Sequence, residues 1–152
     1  MNLSDSDLDE LYQELIVDHG RRPRNVGPLP DASHHACGHN PLCGDKLTLL
    51  LRVQGDVVEE ARFAGEGCAI STASASLMTQ AVKGLTTAQA EALYHRFHAL
   101  VTEGVADPES LGKLAAFAGV RRFPARVKCA SLAWHTLEAA LHPERAETVS
   151  TE

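Results

Sequence analysis

The stretch "KLTLLLRVQGDVVEEARFA", from Lys46 to Ala64, decides the fold because it predicts a β-hairpin. Apolar and polar side chains alternate in its first half, as they do in a strand with one buried face. Gly55-Asp56 is a two-residue turn of the kind that joins antiparallel strands tightly. We therefore expect strands over Lys46–Gln54 and Val57–Ala64. The side chains on the core face of the first strand should be Leu47, Leu49, Leu51 and Val53.

A cysteine and an aspartate stand directly before this hairpin, in "HNPLCGD", residues 39–45. In an extended backbone Cys43 and Asp45 point the same way, about 7 Å apart, so they could share one ligand. Gly44 between them has no side chain, which lets the backbone bend and another group approach closely. Alternatively, Gly44-Asp45 forms an Asx-type turn and Cys43 is an inert buried thiol. These residues alone leave both interpretations open.

Helical spacing of apolar residues dominates the chain on both sides of the hairpin. The predicted helices run from about Ser4 to Gly20, from near Cys68 to Gly84, onward from Thr87, onward from Asp107-Pro108, and over Arg126–Leu141. Residues 21–41, with four prolines and two glycines, predict a long loop containing at most a short edge strand.

This order of elements predicts one α+β domain, a small antiparallel β-sheet covered on one side by helices. We expect the domain to span residues 1–142, and residues 143–152 to be a polar, disordered tail.

The amino-acid composition excludes some classes of partner and of cysteine chemistry. The 152 residues carry a formal net charge of −6 and no basic run, which argues against nucleic acid and membrane surfaces as partners. No positively charged leader and no long apolar stretch is present, so we expect a cytoplasmic protein with reduced thiols. Its four cysteines, Cys37, Cys43, Cys68 and Cys129, are then metal ligands, reactive groups or core residues rather than disulfides.

Two of these cysteines fall at predicted helix starts. Cys68 follows Gly65-Glu66-Gly67, and Cys129 is placed in the first turn of the last helix, five residues after Pro124. Helix N-termini stabilise a thiolate, which is the form that binds a metal or attacks sulfur. The alternative for each cysteine is a small apolar residue in an alanine-rich interface.

Three motifs are similar to those of a known family. "NPLCGDKLTL", "FAGEGCAISTASASLM" and "FPARVKCASLAWHTL" resemble, in order, the three cysteine motifs of the IscU/NifU-N family of iron-sulfur cluster assembly proteins, and of its SufU branch most closely. The resemblance extends to "DHGRRPRNVGPL" and covers nearly the whole chain up to His142. It implies the SufU/IscU-like form of the α+β fold predicted above.

The resemblance also implies a metal site made of Cys43, Asp45, Cys68 and Cys129. IscU-type sites have a histidine just before the last cysteine, where this chain has Lys128, and the segment from Gly84 to about Gly119 is longer than in IscU-type chains. Both features favour the SufU branch, with the aspartate as fourth ligand. Three thiolates and a carboxylate suit tetrahedral Zn²⁺, and iron would tolerate the same ligands.

As the resemblance implies, the protein is a zinc-dependent sulfur acceptor that takes persulfide sulfur from a SufS-type cysteine desulfurase and passes it to downstream iron-sulfur assembly proteins. Whether the protein is an enzyme, namely a sulfurtransferase, or only a sulfur carrier is left open. One alternative is a scaffold that builds a transient [2Fe-2S] cluster on the same residues. An alternative of another class is a structural zinc module that binds proteins.

The sulfur acceptor is expected to be Cys43. Cys68 and Cys129 are placed on helices packed against the core, whereas Cys43 lies between a proline-containing loop and the Gly44 hinge. The resemblance to SufU supports the same choice, since a desulfurase side chain is thought to displace this ligand from zinc there.

Three further features remain open. Cys37 with His34, His35 and His39 could form a second metal site, or be a loop without function. Arg126, three residues before Cys129, could lie beside anionic sulfur species or be a solvated helix residue. We expect Trp134 to pack in the core and His135 to lie at the surface.

Overall fold

The computed structural model describes residues 5–41, 44–104, 111–143 and 149–150, and the side chains of residues 13–41, 44–104 and 111–143. Its elements are α1 (Asp5–Arg21), β1 (His34–Asn40), β2 (Asp45–Gln54), β3 (Val57–Glu66), α2 (Ala69–Val82), α3 (Thr87–Thr102), a 3-10 helix (Gly112–Arg122), α4 (Pro124–Leu141) and β4 (Val149–Ser150).

The predicted hairpin is confirmed as the centre of the sheet. β2 and β3 pair antiparallel across Gly55 and Asp56, whose φ angles of 55° and 64° are those of a type I′ turn. Leu47, Leu49 and Leu51 are buried as expected. The opposite face of β2 is exposed or half-buried, so only one side of the sheet carries the core.

β1 forms in the segment that the sequence predicts as mostly loop. It pairs antiparallel with β2 along its full length, from His34 opposite Leu51 to Asn40 opposite Asp45. Gly38 lies against α4 so closely that a Cβ there would be 2.2 Å from the Thr136 hydroxyl. The close approach of α4 therefore requires a glycine at this position of β1.

The helices form layers on the covered face of the sheet. α2 and α4 contact the sheet directly, α1 packs on α2, and α3 packs on α4. Trp134 is buried and stacks on Phe97 at 4.6 Å between ring centroids, as expected of a core residue. His135 is half-buried rather than at the surface, because α3 covers it. The α+β fold with helices on one side is confirmed.

The chain after α3 differs from the expectation. Residues 105–110, where the sequence predicts a helix start at Asp107-Pro108, lie outside the described residues. From Gly112 onward the chain is a 3-10 helix that buries Leu114 and Phe117. None of the described helices is long and apolar enough to cross a membrane.

Part of the predicted disordered tail is a strand. β4 pairs parallel with β1, Val149 opposite Gly38 and Ser150 opposite His39, which extends the sheet order to β3-β2-β1-β4. Without β4, the outer backbone groups of β1 would be unpaired, and a short added strand satisfies some of them. Residues 144–148 and 151–152 lie outside the described part, and the domain boundary at residue 142 stays a prediction.

Candidate metal centre

Three of the four predicted ligands lie together. The carboxylate of Asp45 and the thiol sulfurs of Cys68 and Cys129 are all within 4.8 Å of one another, and we call these residues the Asp–Cys cluster. They are 23 and 61 residues apart along the chain. The fourth predicted ligand, Cys43, lies outside the described residues, between Pro41 and Gly44.

Each member of the Asp–Cys cluster comes from a different element. Asp45 is the first residue of β2 and Cys68 is the N-cap of α2. Cys129 is not in the first turn of its helix, as the sequence predicts, but in the second. The reason is that α4 begins at Pro124, whose fixed φ suits the first helical position.

Hydrogen bonds hold Asp45 against the start of α2. The Asp45 side chain is buried, and its Oδ1 accepts a hydrogen bond from the Cys68 backbone N–H at 2.9 Å. The Cys68 sulfur lies 3.9 Å from Asp45 Oδ2 and accepts from the Ser71 N–H at 3.4 Å. These contacts fix the position of the Cys68 sulfur at the start of α2.

The spacing of the donors fits one metal ion. Ligand atoms about 2.3 Å from a tetrahedral Zn²⁺ lie about 3.8 Å apart, so a 4.8 Å cluster needs only small side-chain shifts. Thiolates with one carboxylate suit Zn²⁺ or iron.

Asn40 is a site residue that the sequence reasoning missed. It is buried at the end of β1, directly opposite Asp45, and its Nδ2 donates to the Cys129 sulfur at 3.8 Å. An amide that donates to a metal ligand helps to fix that ligand's orientation. In the sequence, the only indication of this role is that Asn40 lies in the segment "HNPLCGD" together with Asp45. Its burial depends on the pairing between β1 and β2, which the sequence does not show.

Two glycines shape the site. Gly44 has a φ of 73° and donates its N–H to the Asn40 carbonyl at 2.9 Å. A Cβ at Gly67 would lie 3.1 Å from Asp45 Oδ1, so the small residue lets α2 start close to the carboxylate. The predicted conformational freedom at Gly44 agrees with its left-handed backbone.

The other residues that the sequence suggested as site residues lie away from the Asp–Cys cluster. His35 and Cys37 are exposed on β1, and Cys37 Sγ is 3.7 Å from the Thr48 hydroxyl. Among the described side chains, neither residue belongs to a group of three potential metal ligands. Arg126 is exposed at the edge of a groove of about 660 Å³ between α1, α2, the 3-10 helix and α4, so its role beside sulfur species stays a prediction.

Comparisons with known proteins agree with this geometry. The family described as NifU-like N terminal domain matches residues 11–143. A Bacillus subtilis (strain 168) protein, zinc-dependent sulfurtransferase SufU, is 44% identical over 140 residues, which cover 91% of this chain and 95% of that protein. The iron-sulfur cluster assembly scaffold protein IscU of Streptococcus pyogenes serotype M1 is 41% identical over 138 residues, covering 90% of this chain and 86% of that protein.

A solved structure has the same fold. It is described as a putative iron-sulfur cluster assembly scaffold protein for the SUF system from Fervidobacterium islandicum AW-1. It superposes with a TM-score of 0.82 at 34% identity and covers 87% of this chain and 97% of that one.

Proposed function

The chain belongs to the NifU-like N terminal domain family, and we propose on this premise that it works in iron-sulfur cluster assembly as a zinc-dependent sulfur acceptor. The observation that carries the proposal is the Asp–Cys cluster, which brings together two thiols and a carboxylate from three separate elements. The similar zinc-dependent sulfurtransferase adds support, since it is matched over nearly its whole length.

The zinc ligands in this proposal are Cys43, Asp45, Cys68 and Cys129. When bound, the zinc would keep the thiols deprotonated and protected from oxidation. Asn40 and the Ser71 N–H orient the two described sulfurs, and the Cys68 N–H orients the carboxylate. These bonds hold three ligands in place, so Cys43, which precedes Gly44 in the sequence, is the ligand that we propose leaves the metal.

Sulfur arrives as a persulfide on a cysteine desulfurase of the SufS type, which is the partner we propose. The Cys43 thiolate attacks the outer sulfur of that persulfide and forms a new S–S bond. The old S–S bond breaks, and its electron pair leaves with the desulfurase cysteine as a thiolate, so no oxidant or reductant is needed. The Cys43 persulfide is then passed to downstream iron-sulfur assembly proteins.

The described cysteines support Cys43 as the acceptor. Attack requires a sulfur that the partner can reach, and Cys129 is completely buried. Cys68 is only half-buried, but it caps α2 through its sulfur, so leaving the metal would disturb a helix packed on the core. Cys37 is exposed but lies outside the Asp–Cys cluster. Cys43 directly precedes Gly44 in the sequence, and the left-handed φ of Gly44 bends the chain there.

The alternatives predict different products. A scaffold would accumulate a [2Fe-2S] cluster on the same residues, as the names of the IscU relatives suggest, and a structural zinc module would acquire neither sulfur nor cluster. The test is incubation with a SufS-type desulfurase and free cysteine, with iron present in a parallel sample.

We expect the protein to accelerate cysteine turnover and carry persulfide before any visible cluster absorbance develops. Cys43→Ser should abolish the acceleration, and Cys37→Ser, which changes an exposed thiol away from the cluster, should leave it intact. Cluster absorbance without prior persulfide would favour the scaffold, and neither signal would favour the structural module.

A further inference from the structure

A second group of potential metal ligands lies between α3 and α4. The carboxylates of Glu91 and Glu138 and the imidazole of His95 have ligand atoms within 4.8 Å of one another. Glu91 and His95 are four residues apart on α3, so they share one face of that helix. Glu138 reaches this face from α4, so the group bridges two helices that are packed together.

His142 lies beside this group and contacts one of its members. His142, the C-cap residue of α4, is four residues after Glu138, and its Nε2 lies 2.9 Å from Glu91 Oε1. The two helices thus present matching Glu-x-x-x-His pairs toward each other, and we call Glu91, His95, Glu138 and His142 the Glu–His cluster. Glu91, His95 and Glu138 supply three ligands, which leaves the fourth position of a tetrahedral site to His142 or to water.

Neighbouring side chains orient these ligands. His135 Nδ1 lies 2.8 Å from the Tyr94 hydroxyl, which is also hydrogen-bonded to Glu138. The Tyr94 phenol donates this hydrogen bond to the Glu138 carboxylate. Metal-binding carboxylates are commonly held by such a donor from outside the ligand set.

The Glu–His cluster is accessible and separate from the Asp–Cys cluster. His95 is exposed, and Glu91 and Glu138 are half-buried, so an ion can reach them without opening the core. Cys129 and Glu138 are nine residues apart on α4, which places the two clusters about 14 Å apart along the helix axis.

We propose that the Glu–His cluster is a second metal site, which binds a divalent first-row transition ion such as Zn²⁺. Imidazole suits zinc, iron, copper and nickel, whereas Mg²⁺ and Ca²⁺ prefer ligand sets made only of oxygen. The bound ion cross-links α3 to α4 and does not depend on the sulfur-accepting function.

The test is a titration of tag-free protein with Zn²⁺ in competition with a chromophoric chelator. Wild-type protein should bind one more equivalent than the His95→Ala and Glu138→Gln variants, whose affinity at this site should fall at least about tenfold. Mg²⁺ in large excess should not compete. His35→Ala removes an exposed imidazole from β1, and Glu103→Gln removes a carboxylate just after α3, so both controls should bind like wild type.

The inference depends on the difference in bound zinc between wild type and the variants. That difference does not depend on whether the Asp–Cys cluster holds zinc. Histidine side-chain NMR on wild-type protein gives a measurement that needs no variant. Zn²⁺ should shift the His95 and His142 signals and leave His35 unchanged. Equal zinc binding by wild type and both variants, or His95 and His142 signals that do not respond, would overturn the proposal.

Discussion

Asp45 has two separable roles in this account, as a metal ligand and as the acceptor that fixes the start of α2. Replacing it with alanine removes a charge-assisted hydrogen bond to the Cys68 N–H and leaves that donor without its partner. Such a loss costs about 1.5–3 kcal/mol. In a domain of this size each kcal/mol shifts Tm by about 2–4 °C, so metal-free Asp45→Ala should melt roughly 3–12 °C lower. Asp45→Asn keeps the shape and an accepting oxygen, so its metal-free Tm should fall less.

Zinc affinity separates these roles, because both variants remove the carboxylate ligand. We expect Asp45→Ala and Asp45→Asn to bind zinc at least about tenfold more weakly than wild type in chelator competition, even though their metal-free stabilities differ. Asp31→Asn, a change in an exposed carboxylate paired with Arg52, is the control and should bind zinc normally. If both Asp45 variants keep wild-type zinc affinity, Asp45 is a structural residue only. The fourth ligand must then be sought at Lys128 or among the histidines of β1.

Two further predictions concern the Asp–Cys cluster and the response to pH. The Cys68→Ser, Cys129→Ser double variant should lose the zinc of the Asp–Cys cluster, and metal analysis that finds this zinc fully retained would refute the site. His19 is buried against Ser76, and burial, helped by the nearby Arg24 charge, lowers the pKa of this imidazole below its usual 6.5. The folded state therefore holds His19 neutral, so its contribution to stability is present above pH 6.5 and is lost as the pH falls below that value. Tm of metal-free protein should decline from pH 6.5 to 5 less steeply in His19→Gln than in wild type, and parallel declines would contradict the assignment.

Local signals in the sequence predicted the centre of the fold. The β2–β3 hairpin depends on neighbouring residues, since Gly55-Asp56 accepts left-handed backbone and the leucines of β2 alternate. The start of α3 is also determined by neighbouring residues, because Thr86 and Gln89 form a reciprocal capping box there. These elements required no knowledge of distant contacts.

β1 and Asn40 could not be predicted in this way. The sequence "HHACGHN" has no β-branched or large apolar residue, and its strand is defined by pairing with β2, with Gly38 packed against Thr136 on α4. Asn40 becomes a site residue only when β1 and β2 pair. The family motifs named Asp45, Cys68 and Cys129 as ligands, whereas their convergence is a property of the tertiary fold.

The central claim, that Cys43 accepts the sulfur, is tested most directly by locating that sulfur. After reaction with the desulfurase and free cysteine, the protein is alkylated, digested and analysed by peptide mass spectrometry. Cys37 and Cys43 share the peptide between Arg24 and Lys46, so fragment ions must separate them. The account predicts that the additional sulfur is assigned to Cys43 and is absent from Cys37, Cys68 and Cys129. Finding the additional sulfur on Cys129, which is buried in this structure, would contradict the account and show that the wrong thiol was assigned.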